Sequence, residues 1–78
     1  MKWYKVTWVI KKGGYQSDCC FLQAENTKSA RERFDRIAAK IDSKKKSYGL
    51  NPAHRFQIKV TLANASDVDI STVWKESP

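Results

Sequence analysis

The stretch TKSARERFDRIAAKIDSKKK, residues 27–46, contains the most informative pattern in the chain, and the other elements are arranged around it. At about 100° per residue, one face of a helix collects its apolar side chains. They are Ala30, Phe34, Ile37, Ala38 and Ile41. Asn26 or Thr27 can cap this helix by accepting a hydrogen bond from an early backbone N–H group. We therefore predict a helix over residues 27–46 whose apolar face packs on a sheet.

The residues before the helix alternate between apolar and polar, which is typical of strands. In the first strand the inward side chains are Tyr4, Val6, Trp8 and Ile10. The glycine pair at residues 13–14 favours a tight turn, so residues 1–25 are predicted to form a hairpin. For the second strand two registers are open. We prefer Cys20, Leu22 and Ala24 inward, while the other register buries Cys19 and Phe21.

A third strand is predicted over residues 54–62, after a loop over residues 47–53 that contains Gly49 and the pair Asn51-Pro52. Its alternation places Phe56, Ile58, Val60 and Leu62 inward and Arg55, Gln57, Lys59 and Thr61 outward. The tail over residues 63–78 has no clear period. A short edge strand and a short helical turn are equal alternatives for it.

Together these elements predict a single α+β domain over residues 1–78, a two-layer ββαβ(β) arrangement. The right-handed crossover rule makes the third strand parallel to the second, so that it pairs beside the first. The mostly antiparallel sheet then has three or four strands in the order 2-1-3, with one helix on one face. Over residues 1–62, with Ala24-Glu25-Asn26 to Ala30-Arg31-Glu32 at the helix start, this order resembles a small archaeal large-subunit ribosomal protein family. The resemblance implies the order of elements and no residue role.

The net charge of +7 over 78 residues is concentrated on one element. Residues 27–50 contain eight basic residues and three acidic ones, which gives 8 − 3 = +5. Charge gathered on one element indicates an anionic partner. No apolar run is long enough for a membrane span or a signal peptide, so we expect a cytoplasmic protein with reduced Cys19 and Cys20 and no membrane partner.

The sequence shows no arrangement of residues that is typical of an enzyme. The single histidine, His54, lies beside a basic residue and is interpreted as a surface side chain. Two adjacent cysteines and one histidine do not have the spacing of a zinc site, and the carboxylates are too few for a dedicated cation site. We therefore predict no catalytic residues, no metal and no cofactor.

Two surfaces are candidates for binding. The first is a basic stripe along one flank of the helix and its end, formed by Arg33, Arg36, Lys40, Lys44, Lys45 and Lys46. The second is the outer face of the sheet, where aromatic and basic side chains are mixed: Trp3, Lys5, Lys11, Phe21, Arg55 and Lys59. On this face, two alternatives are that Trp3 and Phe21 pack under the segment around Trp74, or that they form a dimer contact.

The leading hypothesis is a small nucleic-acid-binding module that uses the helix stripe on the phosphates of RNA or DNA, and the sheet face on bases. An alternative is a protein-interaction or inhibitory accessory protein of a phage or mobile element, whose basic flank meets an acidic protein surface. A third hypothesis is a homodimer whose sheets pair through Trp3, Val9 and Phe21.

Overall fold

A computed structural model describes residues 1–76 and confirms the α+β architecture. The elements are β1 Lys2–Lys11, β2 Tyr15–Ala24, α1 Thr27–Ser47 and β3 Arg55–Ala63. The three strands form one sheet in the order β2-β1-β3, and both outer strands are antiparallel to β1. The predicted strand order 2-1-3 is therefore confirmed. Helix α1 packs on one face of this sheet. Within the described residues no helix is both long and apolar enough to cross a membrane.

The hairpin has the preferred register of the second strand. β1 and β2 pair from Lys2 with Ala24 to Lys11 with Tyr15, and the turn between them contains two glycines at positive φ. Cys20 and Leu22 are completely buried under the helix. Phe21, on the other face of the same strand, is also buried, with 6% of its surface exposed. An element other than the helix must therefore cover the outer face at this point.

Helix α1 begins at a capping box. The Asn26 side chain accepts a hydrogen bond from the Ser29 backbone N–H at 2.8 Å, and the Ser29 hydroxyl accepts one from the Asn26 backbone. The predicted apolar face is buried at Ala30, Phe34, Ile37 and Ala38, and Ile41 is half-buried near the helix end. This face meets Tyr4, Val6 and Trp8 of β1 in the core.

Strand β3 contains a β-bulge that changes the face of its first residues. Between the pairs Thr7–Lys59 and Val9–Phe56, β1 advances by two residues while β3 advances by three. Gln57, inside this step, has a φ of 53°, in the left-handed region. The predicted outward position of Arg55 and inward position of Phe56 are therefore wrong, because the extra residue turns each side chain to the opposite face.

Leu62 lies on the predicted inward face of β3, but its side chain is not buried. Leu62 pairs with the buried Tyr4, but 68% of its surface is exposed and it is not part of the core. It lies near the end of β3, an edge strand of the sheet. The core is therefore centred on β1 and β2.

The tail crosses the outer face of the sheet and then turns around the edge of β2. It has two short 3-10 helices, Ala65–Asp67 and Ile70–Thr72, so the helical-turn alternative describes it better than a strand. One isolated parallel bridge joins Val73 to Phe21, and the Trp74 backbone N–H donates to the Phe21 carbonyl at 2.8 Å. The tail thus covers one end of the outer face.

Beyond this bridge the Trp74 ring enters the layer between the sheet and the helix. Its centroid lies 5.3 Å from both Trp8 and Phe34, and the Phe34 and Trp74 planes differ by only 5°. Trp8 and Phe34 are themselves 5.2 Å apart. The end of the described chain is therefore a part of the aromatic core.

Candidate functional site

Two arginines of the predicted stripe bind the tail. The Arg36 guanidinium donates to the Glu76 carboxylate at 2.8 and 3.1 Å, and Arg33 lies 3.4 Å from the same oxygen. Arg33 also donates to the Gln23 carbonyl at 2.6 Å. The hydrogen bond from Arg36 lowers the pKa of the Glu76 carboxyl below its ordinary value. Both arginines are therefore paired within the chain at its surface, and their charge is partly neutralised.

The lysines of the stripe are in a different situation. Lys40 and Lys44 line an open depression of about 350 Å³, together with Lys75 of the tail and the apolar side chains of Ile37, Ile41 and Trp74. Within residues 1–76 no carboxylate lies within ion-pair distance of these three lysines. The tail thus offsets part of the charge of two of the six stripe residues, and its Lys75 adds a cation beside two of the others.

Lys45 and Lys46 follow in the last turn of α1 and are exposed. At about 100° per residue they point successively further round the helix from Lys44, so they widen the basic surface beyond the flank. We call the five residues Lys40, Lys44, Lys45, Lys46 and Lys75 the helix-end lysine cluster. The nearby Asp42 does not offset this cluster, because it is paired with Arg55 at 3.0 Å.

Of the six residues predicted to form a binding surface on the outer face of the sheet, three are placed differently from the prediction. Phe21 is buried and Trp3 is half-buried, because the tail lies over this end of the face. The alternative in which these residues pack under the C-terminal segment describes the structure. Phe21 is therefore available neither for stacking on a base nor for the predicted dimer contact with Trp3 and Val9.

Arg55 is the third residue to differ. On the helix face its guanidinium donates two hydrogen bonds to Asp42, at 3.0 and 3.1 Å, and lies 5.9 Å from the rings of both Trp8 and Trp74. Only 13% of its side chain is exposed. Arg55 therefore stabilises the packing of the helix on the sheet and is not available to an external ligand.

The open half of the outer face contains the remaining predicted residues. Lys5 and Lys59 line a shallow depression of about 490 Å³. Its other walls are formed by residues of all three strands: Thr7, Trp8, Val9, Ser17, Asp18, Cys19 and Gln57. Lys5 lies 5.9 Å above the Phe21 ring, a cation–π distance that favours a fixed position. Lys11 is exposed at the hairpin end of the same face.

The bulge adds aromatic residues that the sequence pattern did not indicate. Phe56 now lies on the outer face with its ring 5.8 Å from Tyr15, in an edge-to-face arrangement. The His54 ring lies 6.2 Å from Phe56, at 15° to its plane. His54 is exposed, in agreement with its interpretation as a surface residue. The sequence did not identify these three side chains as neighbours. The alternation in β3 is regular, so it placed Phe56 on the opposite face from Tyr15.

The two cysteines are free thiols in different environments. Cys19 is half-buried in the wall of the outer depression, whereas Cys20 is completely buried under the helix. Burial, with the neighbouring Cys19 and Asp18, raises the pKa of the Cys20 thiol to about 12. The thiolate is the reactive form of cysteine, so Cys20 is chemically protected.

This difference predicts the outcome of a thiol titration. With an aromatic disulfide reagent at pH 8, one thiol per native chain should react, and the second should react only after unfolding in denaturant. The Cys19→Ser variant should lose the native reaction, since position 19 is on the outer face. Two thiols reacting at equal rates in the native protein would contradict the assigned register.

Among residues 1–76 no three His, Cys, Asp or Glu side chains are grouped so that they could hold a metal ion. Comparison with known proteins gives no further guide. The chain matches no protein-family model, no curated protein and no solved structure. The functional argument therefore depends on the fold and on the chemistry of the two basic surfaces.

Proposed function

We propose that this protein is a small non-enzymatic module that binds nucleic acid through the helix-end lysine cluster. The observation that supports this is the division between the two kinds of basic residue. All four arginines, at positions 31, 33, 36 and 55, are in ion pairs within the chain. No lysine among the described residues has such a pair, and five of the eleven lysines belong to the cluster, so unpaired positive charge is concentrated there. A concentrated cationic surface of this kind attracts phosphate groups.

Stabilisation of the helix explains why lysines occur at only some positions of this cluster. Cations in the last turn interact favourably with the helix dipole, which accounts for Lys44, Lys45 and Lys46. Lys40 lies before that turn and Lys75 is outside the helix. Like charges four residues apart, such as Lys40 and Lys44, destabilise a helix by roughly 0.2–0.5 kcal/mol. A small domain retains such repulsion at a cost in stability, which supports a role in binding.

Salt dependence tests the proposal. If the five lysines each neutralise one phosphate, the logarithm of the binding constant should fall with the logarithm of the salt concentration with a slope of about −3 to −4 on single strands. The measurement is fluorescence anisotropy of labelled oligonucleotides at several salt concentrations. Absence of binding at low salt to RNA and DNA of either form would refute the proposal.

A matched pair of double variants locates the site. Lys40→Gln with Lys44→Gln should weaken binding roughly tenfold at low salt and make the slope shallower by about 1.4. The control, Lys2→Gln with Lys28→Gln, removes the same charge from exposed positions outside the cluster and should change binding little. Equal losses in both double variants would show that only net charge matters.

The same experiment addresses the alternative of an acidic protein partner. Polyglutamate of the same charge as the oligonucleotide is added as competitor. If the cluster binds nucleic acid, we expect polyglutamate to displace the oligonucleotide only at a higher concentration. Equal competition would favour an acidic protein surface as the ligand of the cluster.

A further inference from the structure

The β-bulge in β3 creates an aromatic surface at the hairpin end of the outer sheet face. We call Tyr15, His54 and Phe56 the outer aromatic platform. Tyr15 is 72% exposed and His54 is exposed as well, although both rings lie near Phe56. If these rings served only to cover Val9 and to close the sheet end, Tyr15 would be buried. Instead its ring remains largely open to solvent.

Cations flank the platform on the same face. Lys11 is paired with Tyr15 across the hairpin, and Lys5 and Lys59 line the depression that begins beside Val9. At about 3.3 Å per residue, Lys5 lies roughly 13 Å along β1 from Val9, the partner of Phe56. This spacing places phosphate-binding groups within a few nucleotides of the rings.

One carboxylate, Asp18, lines this depression, but its place in the strand register directs its side chain towards the helix face. Asp18 is paired with Trp8, whose side chain lies on the helix face. The Asp18 carboxylate also accepts the Cys19 backbone N–H at 2.8 Å. The open part of the outer face therefore combines aromatic rings with lysines.

The platform and the helix-end lysine cluster lie at the same end of the molecule. The pair between Asp42 and Arg55 joins the last third of α1 to the start of β3, and Arg55 is opposite Ile10 near the hairpin turn. The two surfaces are on opposite faces of the sheet but share this end. A flexible strand can bend around it, whereas a straight duplex meets only one face.

From these observations we infer that the platform is a stacking site for unpaired bases, so that the ligand of this protein is single-stranded nucleic acid. Bases stack on Tyr15 and Phe56, while Lys5, Lys11 and Lys59 hold the adjoining phosphates. Such combinations of exposed rings and cations bind single strands with little sequence preference. This inference rests on the proposed nucleic-acid function and adds the form of the ligand.

The test compares a labelled single-stranded oligonucleotide with the duplex of the same sequence, using Tyr15→Ala and Tyr15→Phe variants. We expect the wild type to prefer the single strand. Tyr15→Ala should weaken single-strand binding at least fivefold and leave duplex binding unchanged, since duplex bases are already stacked. Tyr15→Phe keeps the ring and should bind as the wild type does. Leu62→Ala, which removes a similarly exposed apolar group outside the outer face, is the control.

Each outcome separates this inference from the proposed function. If Lys40→Gln with Lys44→Gln weakens binding and Tyr15→Ala does not, the platform is refuted and the lysine cluster stands. If Tyr15→Ala weakens single-strand and duplex binding equally, stacking on unpaired bases is also refuted. If Tyr15→Ala acts only on single strands and the lysine variant has no effect, the platform stands and the cluster is refuted. Absence of all binding refutes both.

Discussion

The Trp74→Ala variant should lose about 3 kcal/mol of the free energy of unfolding. The Trp74 ring packs against both Trp8 and Phe34, and its removal leaves a space that these two rigid rings cannot close. A domain of this size has a stability of only about 3–5 kcal/mol. The variant should therefore be partly unfolded at 37 °C, with a urea midpoint far below that of the wild type by circular dichroism.

Two further variants make this experiment specific. Trp74→Phe keeps an aromatic ring and should recover most of the loss. Ile70→Ala, in the same tail, removes a side chain that is 88% exposed and should change stability by less than about 0.5 kcal/mol. A Trp74→Ala protein with the wild-type urea midpoint would show that the tail does not contribute to the fold.

The tail also controls which groups the surface presents. Its Glu76 binds Arg33 and Arg36, its Val73 covers Phe21, and its Lys75 joins the helix-end lysine cluster. A tail held in place by Trp74 thus pairs two arginines of the predicted stripe with one carboxylate and shields one end of the outer face. The helix thus supplies four lysines of the cluster, while the tail supplies the fifth and pairs with both arginines.

The fold could be predicted because its signals are local. The period of residues 27–46 predicted a helix, the alternation in each strand predicted a sheet, and the glycine pair predicted the hairpin turn. The order of the strands then followed from chain connectivity and the right-handed crossover rule. Each of these signals depends on residues that are close together in the sequence.

The bulge could not be predicted for a physical reason. A residue at positive φ is usually glycine, because a Cβ atom disfavours that conformation, but here the residue is Gln57. The alternation from Arg55 to Leu62 is uninterrupted, so no residue indicates where the register changes. The positions of Arg55 and Phe56, and with them the aromatic platform, were therefore hidden from the sequence.

The candidate site was only partly predictable for a related reason. The sequence shows which residues are basic, but not which of them are neutralised. Arg36 and Glu76 are forty residues apart and meet only because the tail turns around β2. The separation between engaged arginines and unpaired lysines is thus a property of the tertiary structure.

Arg55→Ala should lose about 2–3 kcal/mol of the free energy of unfolding. Its guanidinium makes two hydrogen bonds to Asp42 and lies against two tryptophan rings, with only 13% of the side chain exposed. Breaking a buried ion pair costs more than the pair contributes, because the remaining carboxylate loses its partner and stays poorly solvated. Since the Asp42 side chain is 30% exposed, we place the loss below the 3–5 kcal/mol of a fully buried pair.

Arg31, which lies on helix α1 as Asp42 does, provides a matched control. It pairs with Asp35 at 3.0 Å, the same distance as Arg55 and Asp42, but the two side chains are 46% and 56% exposed. An exposed pair at this spacing contributes about 0.3–0.5 kcal/mol, so Arg31→Ala should change the urea midpoint little. Asp42→Ala, combined with Arg55→Ala in a double-mutant cycle, measures the coupling directly. Equal losses for Arg31→Ala and Arg55→Ala would contradict the inward position of Arg55 and, with it, the bulge that turns Phe56 to the outer face.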